Sequence, residues 1–222
     1  MSSLQPDFLQ FFRELAANND RDWFKAQKKR YESSVKRPFN ELIALLIDRI
    51  SAIDPTLLCS PNEAIFRIHR DVRFSADKSP YKTHAAALIA PGGRKGMHLP
   101  GVYLQFGPEH ARLYSGVYQP DKDQLYRIRS AIAAQPGRFA GLISDPVFVE
   151  KFGAIQGEKN KRLAAEWTEA AERQPLLFNK SFYYFVEWPA EFILQDDLAE
   201  RVVEYYLASR PLGKFFTEAV KG

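Results

Sequence analysis

Residues 84–118, HAAALIAPGGRKGMHLPGVYLQFGPEHARLYSGVY, decide the fold class of this 222-residue chain. Three segments of strand length stand in it, 84–90, 102–106 and 111–118, and no helix-length amphipathic pattern separates them. Parallel strands need a long crossover, usually helical, so consecutive strands without one point to an antiparallel or mixed sheet. Gly107-Pro108-Glu109-His110 reads as the turn of a hairpin joining the last two strands. The run Ala85–Ala90 is apolar on both faces, so a covered central strand, or one packed closely under a helix, is expected.

Working outward, both ends read as helical. Phe8, Leu9, Phe11, Phe12 and Leu15 form a stripe at helical spacing, and Leu42, Ile43, Leu46, Ile47 and Ile50 form a second. Asp20, Asp121 and Asp145 stand where helix N-caps are needed. Helices are expected after Asp121 and Asp145, over 163–173, and from Asp196 or Asp197 onward, with Pro211 as an interruption. Residues 157–162 read as a polar, mobile loop, and 181–186 as an aromatic strand. Helices, then strands, then helices predict one α+β domain over residues 1–222. Its central sheet would take strands from about 64–118 plus one near 181–186, packed by N-terminal and C-terminal helices.

Composition bounds the function. With 45% hydrophobic and 14% aromatic residues, the chain can fill a core and is not a disordered segment. Its 31 Lys and Arg against 27 Asp and Glu give +4, too mild an excess to mark a dedicated nucleic-acid binder. Cys59 is the only cysteine, which excludes an internal disulfide and a CxxC metal knuckle. MSSLQPDFLQFF lacks a basic region followed by an apolar one, so no signal peptide is expected. With no membrane-length apolar run either, a cytoplasmic protein without a membrane partner is expected.

The chemistry concentrates in FRIHRDVRFSADKSPYKTH, residues 66–84. Phe66, Ile68, Val72 and Phe74 alternate with Arg67, His69, Asp71 and Arg73, which predicts a strand with the four polar side chains on one face. Side chains two residues apart on a strand lie ~6.5–7 Å apart, a spacing that suits a ligand with several anionic oxygens. Arg67, Arg70, Arg73, Lys78, Tyr81 and Lys82 are the candidate ligand-binding residues, since guanidinium forks grip phosphate and carboxylate oxygens bidentately. His69 and Asp71 are candidates for a general base and its orienting partner. The same charges also admit an architectural reading, in which Arg70 pairs with Asp71, and Asp77 with Arg73 or Lys78.

Other motifs are excluded or weak. His69-Arg70-Asp71 spells a kinase tripeptide, but Ala76 stands where the metal-binding Asn is required and no DFG follows. A His69, Asp71 and His84 metal cluster is opposed by the surrounding cations, so neither a metal nor a cofactor is expected. Gly92-Gly93-Arg94-Lys95-Gly96 lacks a P-loop ending and reads as a flexible connection, or as a basic lid. Asn18-Asn19-Asp20-Arg21 reads as a capped turn whose polar side chains can face the central motif.

NNDRDWF at 18–24, the 66–84 motif and PGVYLQF at 100–106 resemble the DUF2461 family of conserved bacterial proteins. GVYQP at 116–120, Ile128-Arg129 and KSF at 180–182 extend the resemblance over roughly residues 8–220. It implies a soluble bacterial domain and supplies no reaction. Three functions therefore stand open: binding of an anionic small molecule, phosphorylated ones included; nucleic-acid binding by cations interleaved with aromatics; and an interaction protein whose charges pair internally.

Overall fold

In the computed structural model, which describes residues 4–221, α1 (Pro6–Ala17) buries Phe8, Leu9, Phe11, Phe12 and Leu15. Asp20 caps α2 (Arg21–Ala26), its carboxylate accepting from the N–H groups of Asp22 and Trp23, both at 2.9 Å. Those two donors have no partner inside the helix, so the cap supplies one. A short α3 (Lys28–Arg30) leads into a π-helical segment, Tyr31–Lys36, and then α4 (Arg37–Ile53). Pro38 lies in the first turn of α4, where a missing N–H costs little. Ser60 and Glu63 close a capping box on α5 (Pro61–Ala64).

The four strands are β1 (Ala85–Ile89), β2 (Val102–Phe106), β3 (His110–Val117) and β4 (Phe182–Pro189). They form one antiparallel sheet in the order β1-β2-β3-β4, so the fold is α+β as the sequence predicts. In β2, Val102, Leu104 and Phe106 are buried while Tyr103 and Gln105 are half-buried, the alternation of a strand with one core face. Gly107 donates to His110 O at 3.2 Å and closes the expected hairpin. β1 ends the order rather than sitting centrally. Its burial comes from α4 and α5, which pack against it, and from Ile65, which bridges Ala87.

Helices then follow as α6 (Lys122–Ala134), α7 (Pro136–Ile143), α8 (Pro146–Phe152), α9 (Thr168–Arg173) and α10 (Leu198–Lys221). Asp121 with Gln124 makes a capping box on α6, and Asp145 caps α8. Two expectations are corrected. α10 runs through Pro211, because Leu212, Phe215, Phe216 and Val220 beyond it are buried. Each large buried side chain contributes roughly 1.5–3 kcal/mol, against about 3 kcal/mol for a proline inside a helix. Residues 157–162 are not a free loop: Gln156 bridges Tyr183, and Lys159 bridges Asn179.

The chain divides into two compact units. The first comprises Met1–Lys95, Tyr103–Leu113 and Glu187–Val203, with the apolar faces of α1 and α4 as its core. The second comprises Gly96–Val102, Tyr114–Val186 and Glu204–Gly222, centred on Phe139, Phe148, Phe182, Tyr184, Phe215 and Phe216. The central motif belongs entirely to the first unit.

Candidate functional site

Residues 66–74 do not form the continuous strand that their alternation predicts. Two isolated antiparallel bridges, Ile65 to Ala87 and His69 to Tyr81, fold 65–70 back along 80–87. Phe66 N donates to Ala86 O, Lys82 N to Ile68 O and Arg70 N to Pro80 O, at 2.8–2.9 Å. Beyond Arg70 the ladder stops, and the physical reason lies in the aspartates. Asp71 accepts from the N–H of Arg73 at 3.3 Å, and Asp77 accepts from the N–H and hydroxyl of Ser79 at 2.9 and 2.6 Å. Such local side-chain bonds compete with a ladder for the same backbone groups. Phe74 is consequently 95% exposed at the tip, where a strand face would have buried it.

The expected row of Arg67, His69, Asp71 and Arg73 is therefore divided. Arg73 grips Asp71 with two bonds, Nε at 3.0 Å and Nη2 at 2.7 Å, which hold the Asp71 carboxyl down at about 2. Arg70 pairs with Asp77, whose acidity is raised first by the Ser79 hydroxyl and then by Arg70. Lys78 Nζ donates to Val72 O at 3.0 Å and braces the same loop. His69 is exposed beside Tyr81, with ring centroids 5.1 Å apart, and no hydrogen bond joins it to Asp71 among the described residues.

Tyr81 is buried and stacks on Phe24 at 4.1 Å. Asn19 fastens it further: Asn19 Nδ2 donates to Tyr81 O at 2.9 Å, and Tyr81 N donates to Asn19 Oδ1 at 3.1 Å. The amide thus imitates one rung of a strand. The capped turn at 18–21 does face the central motif, but it fixes backbone rather than arginines.

The remaining cations gather around Phe66. Lys82 Nζ lies 5.1 Å from that ring's centroid and Arg94 Cζ lies 5.9 Å from it. Burial, then Arg67, then Arg94 push the Lys82 ammonium below its ordinary value. Lys82 makes no ion pair among the described residues, and neither does exposed Arg67. Asp71 feels the charge of Arg67 but is already bonded to Arg73. Three cations with little carboxylate compensation are an arrangement that an added anion stabilises.

Arg94 was legible only as part of a basic glycine-rich connection. That connection contains a 3-10 turn, Gly93–Gly96. Gly93 has φ +60, and a Cβ there would come within 2.4 Å of Glu63 O, so glycine alone permits the approach. Arg94 Nη1 then reaches Asn62 O at 2.8 Å and also bonds Ile65 O. Its guanidinium is anchored on one edge by these carbonyls, which leaves Nη2 and Nε as further donors.

His84 lies next to this cluster. Burial first, then Lys82, His110 and Arg112, bring its imidazole down to about 4, so it is neutral at physiological pH. A void of about 30 Å³ lies behind it, lined in part by Phe66, Ile68, Tyr31 and Asn40, and is of a size for roughly one water. Arg112 is itself neutralised by Glu187 at 2.5 Å. Cys59 is half-buried, and burial pushes its thiol up, away from nucleophilic character.

Among the described residues, no three His, Cys, Asp or Glu side chains gather as metal ligands do. No described helix is long and apolar enough to cross a membrane. No curated protein matches the chain. The model of the DUF2461 family, described as a conserved hypothetical protein, matches residues 7–215, which include the whole cluster around Phe66. That coverage takes in nearly all of the 222 residues, and the chain belongs to the DUF2461 family.

Proposed function

We propose that Arg67, Lys82 and Arg94 bind an anionic small molecule carrying a phosphate-ester or dicarboxylate group. The observation that carries this reading is the half-buried Lys82 ammonium, which has two further cations as neighbours and no carboxylate of its own. A bound anion would relieve that repulsion and accept bonds from the Arg67 and Arg94 forks. Neutral His84 adds a ring that can donate or accept beside the same cations. Tyr81 supports the site from beneath, through its stacking on Phe24, rather than by direct contact with a ligand.

The architectural reading applies to a different part of the same motif. Arg70, Arg73 and Lys78 are occupied by Asp77, Asp71 and Val72 O, which favours a bracing role for the loop at 71–79. Acid–base chemistry by His69 and Asp71 would require Arg73 to release the carboxylate.

Thermal shift and calorimetry with nucleotides, sugar phosphates and dicarboxylates test the proposal. A ligand present at 100 times its Kd stabilises by about 2.7 kcal/mol, a readable shift. The expected result is a shift with at least one compound that is lost in both Arg67→Ala and Lys82→Met. A panel without any shift, or a shift that both variants retain, overturns the reading.

A further inference from the structure

A second cationic feature lies elsewhere in the first unit and takes no part in the cluster around Phe66. Lys25, Ala26, Lys28, Lys29, Glu32, Ser33 and Arg37 line an open groove of about 820 Å³. The groove follows the helical stretch where regular α-geometry fails. α2 ends at Ala26, Gln27 departs from helical angles at φ −91 and ψ 7, and the π-helical turn Tyr31–Lys36 follows α3. Single-turn π segments are uncommon and concentrate at functional sites.

The charge along this groove is one-sided. Lys25, Lys28, Lys29 and Arg37 are exposed, and none makes a side-chain hydrogen bond or ion pair among the described residues. Acids do stand at helical spacing, Asp22 three residues before Lys25, Glu32 four after Lys28 and Glu41 four after Arg37, but none is bonded to these four cations among the described residues. Here the one acid in the lining, Glu32, is bonded to Lys36 at 3.0 Å.

We propose that this groove binds the phosphate backbone of nucleic acid, without base selectivity. Four cations without ion pairs call for a ligand with repeated negative charge, and the groove's volume exceeds what a single phosphate fills. No aromatic residue lines it, so contacts fall on phosphates rather than on stacked bases. No large exposed apolar side chain stands in the lining to insert into an anionic membrane.

The test is fluorescence anisotropy with a labelled 20-nucleotide dT strand, titrated from 50 to 200 mM salt. Four phosphate contacts give a log–log slope of about −2.8 for a single strand, or about a 50-fold loss of affinity over that range. Lys28→Ala/Lys29→Ala removes two exposed, unpartnered side chains, so it should fold, as circular dichroism will verify. It should halve the slope and reduce the loss to about 7-fold. Arg67→Ala should leave the slope unchanged, which separates this groove from the cluster around Phe66. The proposal is overturned by no binding at 50 mM salt, or by a slope that the double variant retains. Binding to phosphatidylserine vesicles without binding to the oligonucleotide overturns it equally.

Discussion

Replacing Asn19 by alanine removes both hydrogen bonds of the clamp on the Tyr81 backbone, and its cost can be worked from the geometry. The bonds are 2.9 and 3.1 Å, and Tyr81 is only 6% exposed under its stacking contact with Phe24. Water therefore cannot readily replace the amide, and one N–H and one C=O lose their partner. Each such group costs roughly 1–3 kcal/mol, and partial exposure of Asn19 favours the lower half, so about 2–4 kcal/mol is expected in total. Asn18→Ala is the control. Asn18 Nδ2 makes one exposed bond to Glu14 O at 2.9 Å, and its loss should cost at most about 1 kcal/mol. Urea unfolding read by tryptophan fluorescence gives both values, with unchanged m confirming that only stability moved. If Asn19→Ala costs no more than Asn18→Ala, the turn at 18–21 does not hold the motif, and the reasoning fails.

Three further outcomes are expected. Gly93→Ala should destabilise by at least about 2 kcal/mol, because positive φ adds roughly 1–2 kcal/mol to a backbone clash at Glu63; Gly92→Ala, at φ +72 in open space, should cost only the first part, and equal melting temperatures would contradict this. His84 is neutral in the fold down to about pH 4 but titrates near 6.5 when unfolded, so the unfolded chain binds the extra proton between those values. Stability is then complete above about pH 6.5 and falls by roughly 3 kcal/mol towards pH 4; His84→Gln should remove that part of the slope, and identical pH profiles would refute it. Phe74→Ala should change stability by less than about 0.5 kcal/mol, since the ring is 95% exposed; a larger loss in chemical unfolding would show that the loop tip is packed.

How far the sequence was legible depended on whether local pattern and tertiary partner agreed. β2 and β3 followed from alternation and a glycine turn, because the core that rewards alternation is the one they face. Asp20, Asp121 and Asp145 declared themselves as caps because capping is local. Residues 66–74 carried an equally clean alternation and still failed as a strand. Nothing in that pattern reveals that Asp71 and Asp77 will take neighbouring backbone donors, although Pro80, which has no N–H to give, was a legible sign against a longer ladder. Pro211 misled in the opposite direction, since the apolar side chains that outweigh its cost pack through long-range contacts. The candidate site was half visible. Arg67 and Lys82 came from the motif itself, whereas Arg94 reaches them through a glycine turn pressed against Glu63, a contact no spacing encodes.

The central claim is that Lys82 lies among cations that await an anion, and its own titration tests this most directly. Lysine labelled with ¹³C at Cε, with Lys82→Met to assign the signal, gives the pKa in the free protein and with pyrophosphate added. The account predicts a value below the ordinary 10.5 in the free protein, rising when pyrophosphate is added. A Lys82 that titrates at 10.5 and does not respond to pyrophosphate would contradict it.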